Sequence, residues 1–142
     1  MKFVAAAVQM VALDDKAVNL AEADRWVRQA ALQGAKVVAL PEVFIWRGSK
    51  KLEHANAEPV PGPTSDAMAV LAAELKIYLL AGSILEEISG SEKAYNTSLL
   101  FDPQDEPARN NLLAAHNNWA LALCDAGELL KPCRWSPWTT RL

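Results

Sequence analysis

Residues 3–10 read FVAAAVQM, an apolar run without a helical period, which predicts a first strand buried on both faces. Asp14 or Asp15 then offers a carboxylate to cap a helix. In that helix Leu20, Ala23, Val27, Ala30 and Ala31 recur at steps of three and four, with Glu22, Asp24, Arg25 and Arg28 between them. Gly34 is the natural stop, since glycine accepts a positive φ. Lys36–Leu40 is a second strand. A strand, helix, strand unit of this kind predicts a right-handed parallel crossover, and open parallel sheets hold ligands at the carboxyl ends of their strands.

The connection from Val43 to Gly62 carries Trp46, Arg47, Lys50, Lys51 and His54 and closes with PVPGP; loops of that length in a compact domain are often functional. Thr64 or Ser65 begins a second helix with Met68, Leu71, Ala72 and Leu75 inward. Ile77–Leu85 and Ala94–Phe101 are two further strands joined by the turn-like ISGSEK, and Asp102 and Pro103 end the second of them. After Gln104 the pattern breaks. DEPARNNLLAAHNN has no firm period, WALALC could form a strand, and KPCRWSPWTTRL packs two prolines and two tryptophans into twelve residues. The expected division is therefore a domain segment over 1–104 and a divergent tail over 105–142.

Composition narrows the chemistry. The 142 residues suffice for one domain, and 51% hydrophobic with 22% charged residues is the mix of a globular protein. A formal net charge of −3 gives no basic patch for nucleic acid or an anionic membrane. Cys124 and Cys133 form neither a disulfide framework nor a zinc knuckle, and His54 and His116 stand far apart, so no metal and no cofactor are expected. After Met10 comes VALDDK, with no glycine-rich loop to cradle phosphate, which argues against a nucleotide binder. No apolar run approaches the roughly 20 residues of a membrane helix, and the N-terminal run reads as a strand rather than a signal peptide. A cytoplasmic location is the expectation.

The stretch VVALPEVF at 37–44 sets a carboxylate, Glu42, at the exit of the second strand with apolar residues on both sides. Local sequence alone leaves two readings, a solvated carboxylate just past a strand and a functional one. Beside it stand AAVQM at 6–10, Asn19 and Leu20, GAKVVALPEVF at 34–44, EPVPGPTSDAMA at 58–69, YLLAGSI at 78–84 and AYNTSLLFDP at 94–103. In content, order and spacing these segments resemble the start of the nitrilase superfamily, the carbon-nitrogen hydrolases. The resemblance implies an α/β fold, the first half of a four-layer α-β-β-α sandwich. It implies hydrolysis of a small amide or nitrile, no cofactor, and self-association. By position it makes Glu42 the general base of a Glu-Lys-Cys triad, a role that suits a carboxylate in an apolar pocket. The other members of that triad would be a thiolate nucleophile and a lysine that stabilises the tetrahedral intermediate.

The rest of the triad does not follow the family pattern. The Tyr-Arg-Lys run expected after the fourth strand is absent, and DAGELLKPCRW at 125–135 puts Cys133, Arg134 and Trp135 in its place. Lys131 lies four residues off, roughly 13 Å along a strand. Cys124 precedes Asp125 but lacks the aromatic residue of the family's cysteine motif and reads as a structural thiol. Two expectations result: a hydrolase-family chain truncated or altered beyond 104 and inactive alone, or a non-catalytic module that pairs a half-sandwich with a partner chain. Trp46 reads as a pocket wall or a loop anchor, and His54 as a plain loop residue.

Overall fold

The computed structural model describes residues 2–103 with their side chains and the backbone of 113–116. Its elements in chain order are β1 (Val4–Ala7), α1 (Lys16–Leu32), β2 (Ala35–Ala39), α2 (Pro63–Leu75), β3 (Tyr78–Glu87), β4 (Ala94–Phe101) and β5 (Leu113–His116), with short 3-10 turns at Lys50–Leu52 and His54–Asn56. They form one five-stranded sheet in the order β1-β2-β3-β4-β5. β1, β2 and β3 run parallel, and β3-β4 and β4-β5 are antiparallel.

Each helix begins and ends for a local reason. Asp15 accepts hydrogen bonds from the N–H groups of Ala17 (2.9 Å) and Val18 (3.1 Å), so the expected carboxylate cap of α1 is present. Its C-terminus passes through Gln33 into Gly34, whose φ of +88° a side chain would disfavour. α2 starts at Pro63, just before the predicted Thr64 or Ser65. A proline at the first helical position loses no hydrogen bond, because that N–H has no partner in a helix anyway. The first-turn N–H of Thr64 is satisfied from outside the helix, by the Glu58 carboxylate at 3.0 Å.

Strand order 1-2-3 with right-handed crossovers sends both helices to the same face of the sheet. They meet there, and Arg28 of α1 reaches Glu74 of α2 at 2.6 Å. The core lies beneath them: Val38, Leu79, Ala81, Leu99 and Phe101 from the strands with Ala23, Val27, Met68, Leu71 and Ala72 from the helices. On the opposite face Val37, Ala39, Leu80 and Leu100 are half-buried, and no helix covers them among the described residues. One helix layer on one sheet is the expected half of a four-layer sandwich.

Two expectations fail. β1 is not buried on both faces: it is an edge strand, with Phe3 63% and Val4 52% exposed. Its alanine-rich run matched a central strand because sequence cannot say whether a neighbour is present on the far side. The aperiodic stretch after Gln104 nevertheless contributes β5, which pairs Leu113–His116 with β4.

One clip closes the long connection on the sheet. Glu58 bridges to β3 through Glu58 N–H to Leu85 O (2.9 Å) and Glu87 N–H to Glu58 O (2.8 Å), while its carboxylate binds Lys16 Nζ at 2.8 Å. Burial pushes this carboxyl up. The hydrogen bonds from Lys16 and Thr64 together outweigh burial and hold it below the usual carboxylate range. The stabilisation is therefore present above the ordinary glutamate pKa and is lost as pH falls through the lowered folded value. Glu58→Gln should cost about 1–3 kcal/mol at pH 7, less at acid pH, read from urea midpoints across pH 3–7.

Candidate functional site

The carboxyl ends of β1, β2 and β3 carry the loops from which a site would be built. β2 ends at Ala39, Leu40 N–H continues the ladder to Leu80 O (2.9 Å), and Pro41 turns the chain away. The turn lies directly on β3. At Gly82 an added Cβ would fall on the carbonyl oxygens of Pro41 and Leu40, well inside van der Waals contact, so the strand and the turn can approach this closely only with glycine there. β3 changes register with β4 between Ala81 and Ile84, which spans this position.

The next residue, Ser83, receives the turn: its Oγ accepts the Val43 N–H at 2.9 Å in a buried setting. Val43 holds φ +49°, a conformation that a β-branched residue rarely adopts. The twist sends Val43, Phe44, Ile45 and Trp46 inward, all buried, and leaves Glu42 at the surface. Beyond the turn, Asn19 of α1 acts as a three-way tie. Its Nδ2 donates to Leu13 O and Ile45 O, and its Oδ1 accepts Leu13 N–H, each at 2.8 Å. Arg47 N–H adds a bond to Leu13 O, again at 2.8 Å. The loops after β1 and β2 are thus joined through one buried amide.

Glu42 itself is held from β4, where Asn96 Nδ2 donates to Glu42 Oε1 at 2.7 Å. Oε2 makes no hydrogen bond among the described residues. The carboxylate is therefore fixed through one oxygen and open at the other, an arrangement that can accept a proton. Glu42 is exposed among the described residues, because its apolar neighbours in sequence turn inward. Trp46 is a loop anchor, 3% exposed, with its ring against Gly48. His54 is exposed in a 3-10 turn, in keeping with a plain loop residue. Cys124, Lys131, Cys133, Arg134 and Trp135 lie outside the described residues. Among the described residues no group of three His, Cys, Asp or Glu side chains could hold a metal, and no helix is long and apolar enough to cross a membrane.

The family model of the carbon-nitrogen hydrolases matches residues 4–121. The chain belongs to the carbon-nitrogen hydrolase family. Omega-amidase NIT2 of Xenopus tropicalis is 40% identical over 102 residues, which are 72% of this chain and 36% of that protein. Omega-amidase NIT2 of Homo sapiens is 40% identical over 98 residues, 69% of this chain and 35% of that one. Among solved structures, Saccharomyces cerevisiae Nit3, a member of branch 10 of the nitrilase superfamily, superposes with a TM-score of 0.58 at 28% identity over 67% of this chain and 37% of its own. A double mutant of the amidase from Nesterenkonia sp. AN1 in complex with acrylamide shares the fold, with a TM-score of 0.62 at 21% identity over 78% of this chain and 40% of its own. This carbon-nitrogen hydrolase chain spans about 36% of the length of the curated relatives it matches.

Gly82→Ala should destabilise the fold by about 1–3 kcal/mol, because the added carbon forces β3 and the strand-exit turn apart. Ser83→Ala should cost a similar ~1–3 kcal/mol by leaving the buried Val43 N–H without an acceptor. Denaturant titration reads both.

Proposed function

We propose that this chain carries the general-base segment of a carbon-nitrogen hydrolase acting on small amides or nitriles, with Glu42 as the base. The observation that carries the reading is Glu42 at the exit of β2, fixed at Oε1 by Asn96 and without a hydrogen bond at Oε2 among the described residues. The acrylamide complex of the Nesterenkonia amidase and the omega-amidase names of the relatives support a small amide as substrate.

In this reading Glu42 takes the proton of a cysteine thiol, and the thiolate attacks the amide carbon. The nitrogen leaves as ammonia after protonation, with an acyl thioester left behind. Glu42 then deprotonates the water that cleaves the thioester, giving the carboxylic acid and restoring the thiol. The family's Tyr-Arg-Lys run and its cysteine motif are not recognisable in the sequence beyond β4, so the chain alone is expected to be inactive. A cytoplasmic location and self-association belong to the same reading.

A second reading, a non-catalytic module that pairs with a partner chain, is favoured by the sheet face at Val37, Ala39, Leu80 and Leu100, which no helix covers among the described residues, and by β1 at the edge of the described sheet.

The test is ammonia release from a panel of small amides and nitriles. It is run on the purified chain, on the chain mixed with the remaining length of an omega-amidase relative, and on Glu42→Gln and Cys124→Ala forms of each. The expected result is no release by the chain alone and release by the mixture, reduced about 10²–10⁴-fold by Glu42→Gln and unchanged by Cys124→Ala. Release that Glu42→Gln leaves intact would overturn Glu42 as the base, and a loss with Cys124→Ala would make that cysteine the nucleophile. A silent mixture that nonetheless assembles would favour the second reading.

A further inference from the structure

The side chain of Asn96 is an expensive one for its position. It lies inside β4, opposite the buried Leu85 of β3, and asparagine is among the residues that strands disfavour. Its Nδ2 donates to Glu42 Oε1 at 2.7 Å across 54 residues of sequence, while its Oδ1 is buried without a hydrogen-bond partner among the described residues. Turning the amide over would not relieve this, since it would set Oδ1 against the carboxylate, acceptor against acceptor. A buried carbonyl oxygen without a donor disfavours the folded state relative to an apolar side chain of the same shape. Packing alone would be served better by leucine, and strand pairing by threonine or valine. What asparagine supplies that these cannot is the N–H to Glu42.

We propose that Asn96 is a positioning residue: it fixes Oε1 of Glu42 and thereby the direction of the free Oε2, at the expense of fold stability. The inference rests on Glu42 as the base and adds the device that aims it. The base stands on a turn already constrained by Gly82 and Ser83 of β3, and Asn96 of β4 fixes the one part of it that the backbone leaves free, the side-chain torsions. A carboxylate so held meets its proton donor with its orientation prepaid.

The test is made on the isotopically labelled chain as it stands and needs no turnover, so it can fail or succeed separately from the hydrolase reading. Side-chain couplings report the Glu42 rotamer, and the Asn96 side-chain amide resonances report the hydrogen bond. The wild-type chain should show one dominant Glu42 rotamer and slowly exchanging, downfield-shifted Asn96 amide protons. Glu42→Ala should return those protons to the position and exchange rate of a free amide. Asn96→Leu should leave the melting temperature unchanged or raise it while Glu42 spreads over several rotamers. Asn96→Ser, smaller and still polar, should release Glu42 in the same way. The proposal is overturned if Glu42 is already averaged in the wild type, if its rotamer is indifferent to both Asn96 variants, or if both variants melt well below the wild type, which would make Asn96 structural.

Discussion

The close approach of β3 to the turn after β2 is the constraint on which the site depends. With Gly82 under the carbonyls of Pro41 and Leu40, the turn lies on the strand rather than above it. Only at that separation does the Ser83 hydroxyl reach the Val43 N–H. The strained φ of Val43 follows from the same contact, because the chain must reverse within a few residues to bury Phe44, Ile45 and Trp46 while Glu42 stays outside. Residues in such conformations persist where their surroundings over-determine them, and they gather at functional sites. Here the surroundings are identifiable one by one.

Outward from that contact the same logic repeats with other partners. Asn19 binds the loops after β1 and β2 to each other, so the turn cannot swing away from the parallel edge of the sheet. Glu58 pins the end of the long connection to β3, to Lys16 and to the start of α2. Asn19 directs its bonds at backbone, and the Glu58 carboxylate divides its two oxygens between Lys16 Nζ and the Thr64 N–H, which is how a long loop reaches a defined shape without a core of its own. The apolar layer beneath α1 and α2 supplies the bulk stability, and these few polar ties decide where the loop ends stand.

Much of this was legible in the sequence. β4 falls on Ala94–Phe101 as read, Asp15 caps α1, Gly34 closes it, and the parallel crossover follows from the alternation of apolar runs. These are local signals, and local physics produces them. The exposure of β1 was not legible, because whether an apolar strand is central or at an edge depends on what pairs beside it. α2 starts at Pro63, ahead of the Thr64 or Ser65 that the sequence offers, and the Thr64 N–H is satisfied by Glu58, six residues before it. Glu42 stands out through family resemblance, while the inward turn of its apolar neighbours is not legible locally. Asn96 and Ser83 were invisible as partners, since each meets its target across 40 or more residues. The signal that could have singled them out was polarity in the wrong place: glycine and serine inside YLLAGSI, and asparagine inside AYNTSLLF.

Native-state hydrogen exchange at the Val43 amide tests the central claim most directly. If the turn is held on β3 through Gly82 and Ser83, this loop N–H should exchange as slowly as the amides of β3 and β4, opening only when the sheet itself opens. Exchange at the rate of the neighbouring exposed loop around Lys50 would show that the turn moves independently of the strand, and would remove the structural basis for a fixed Glu42.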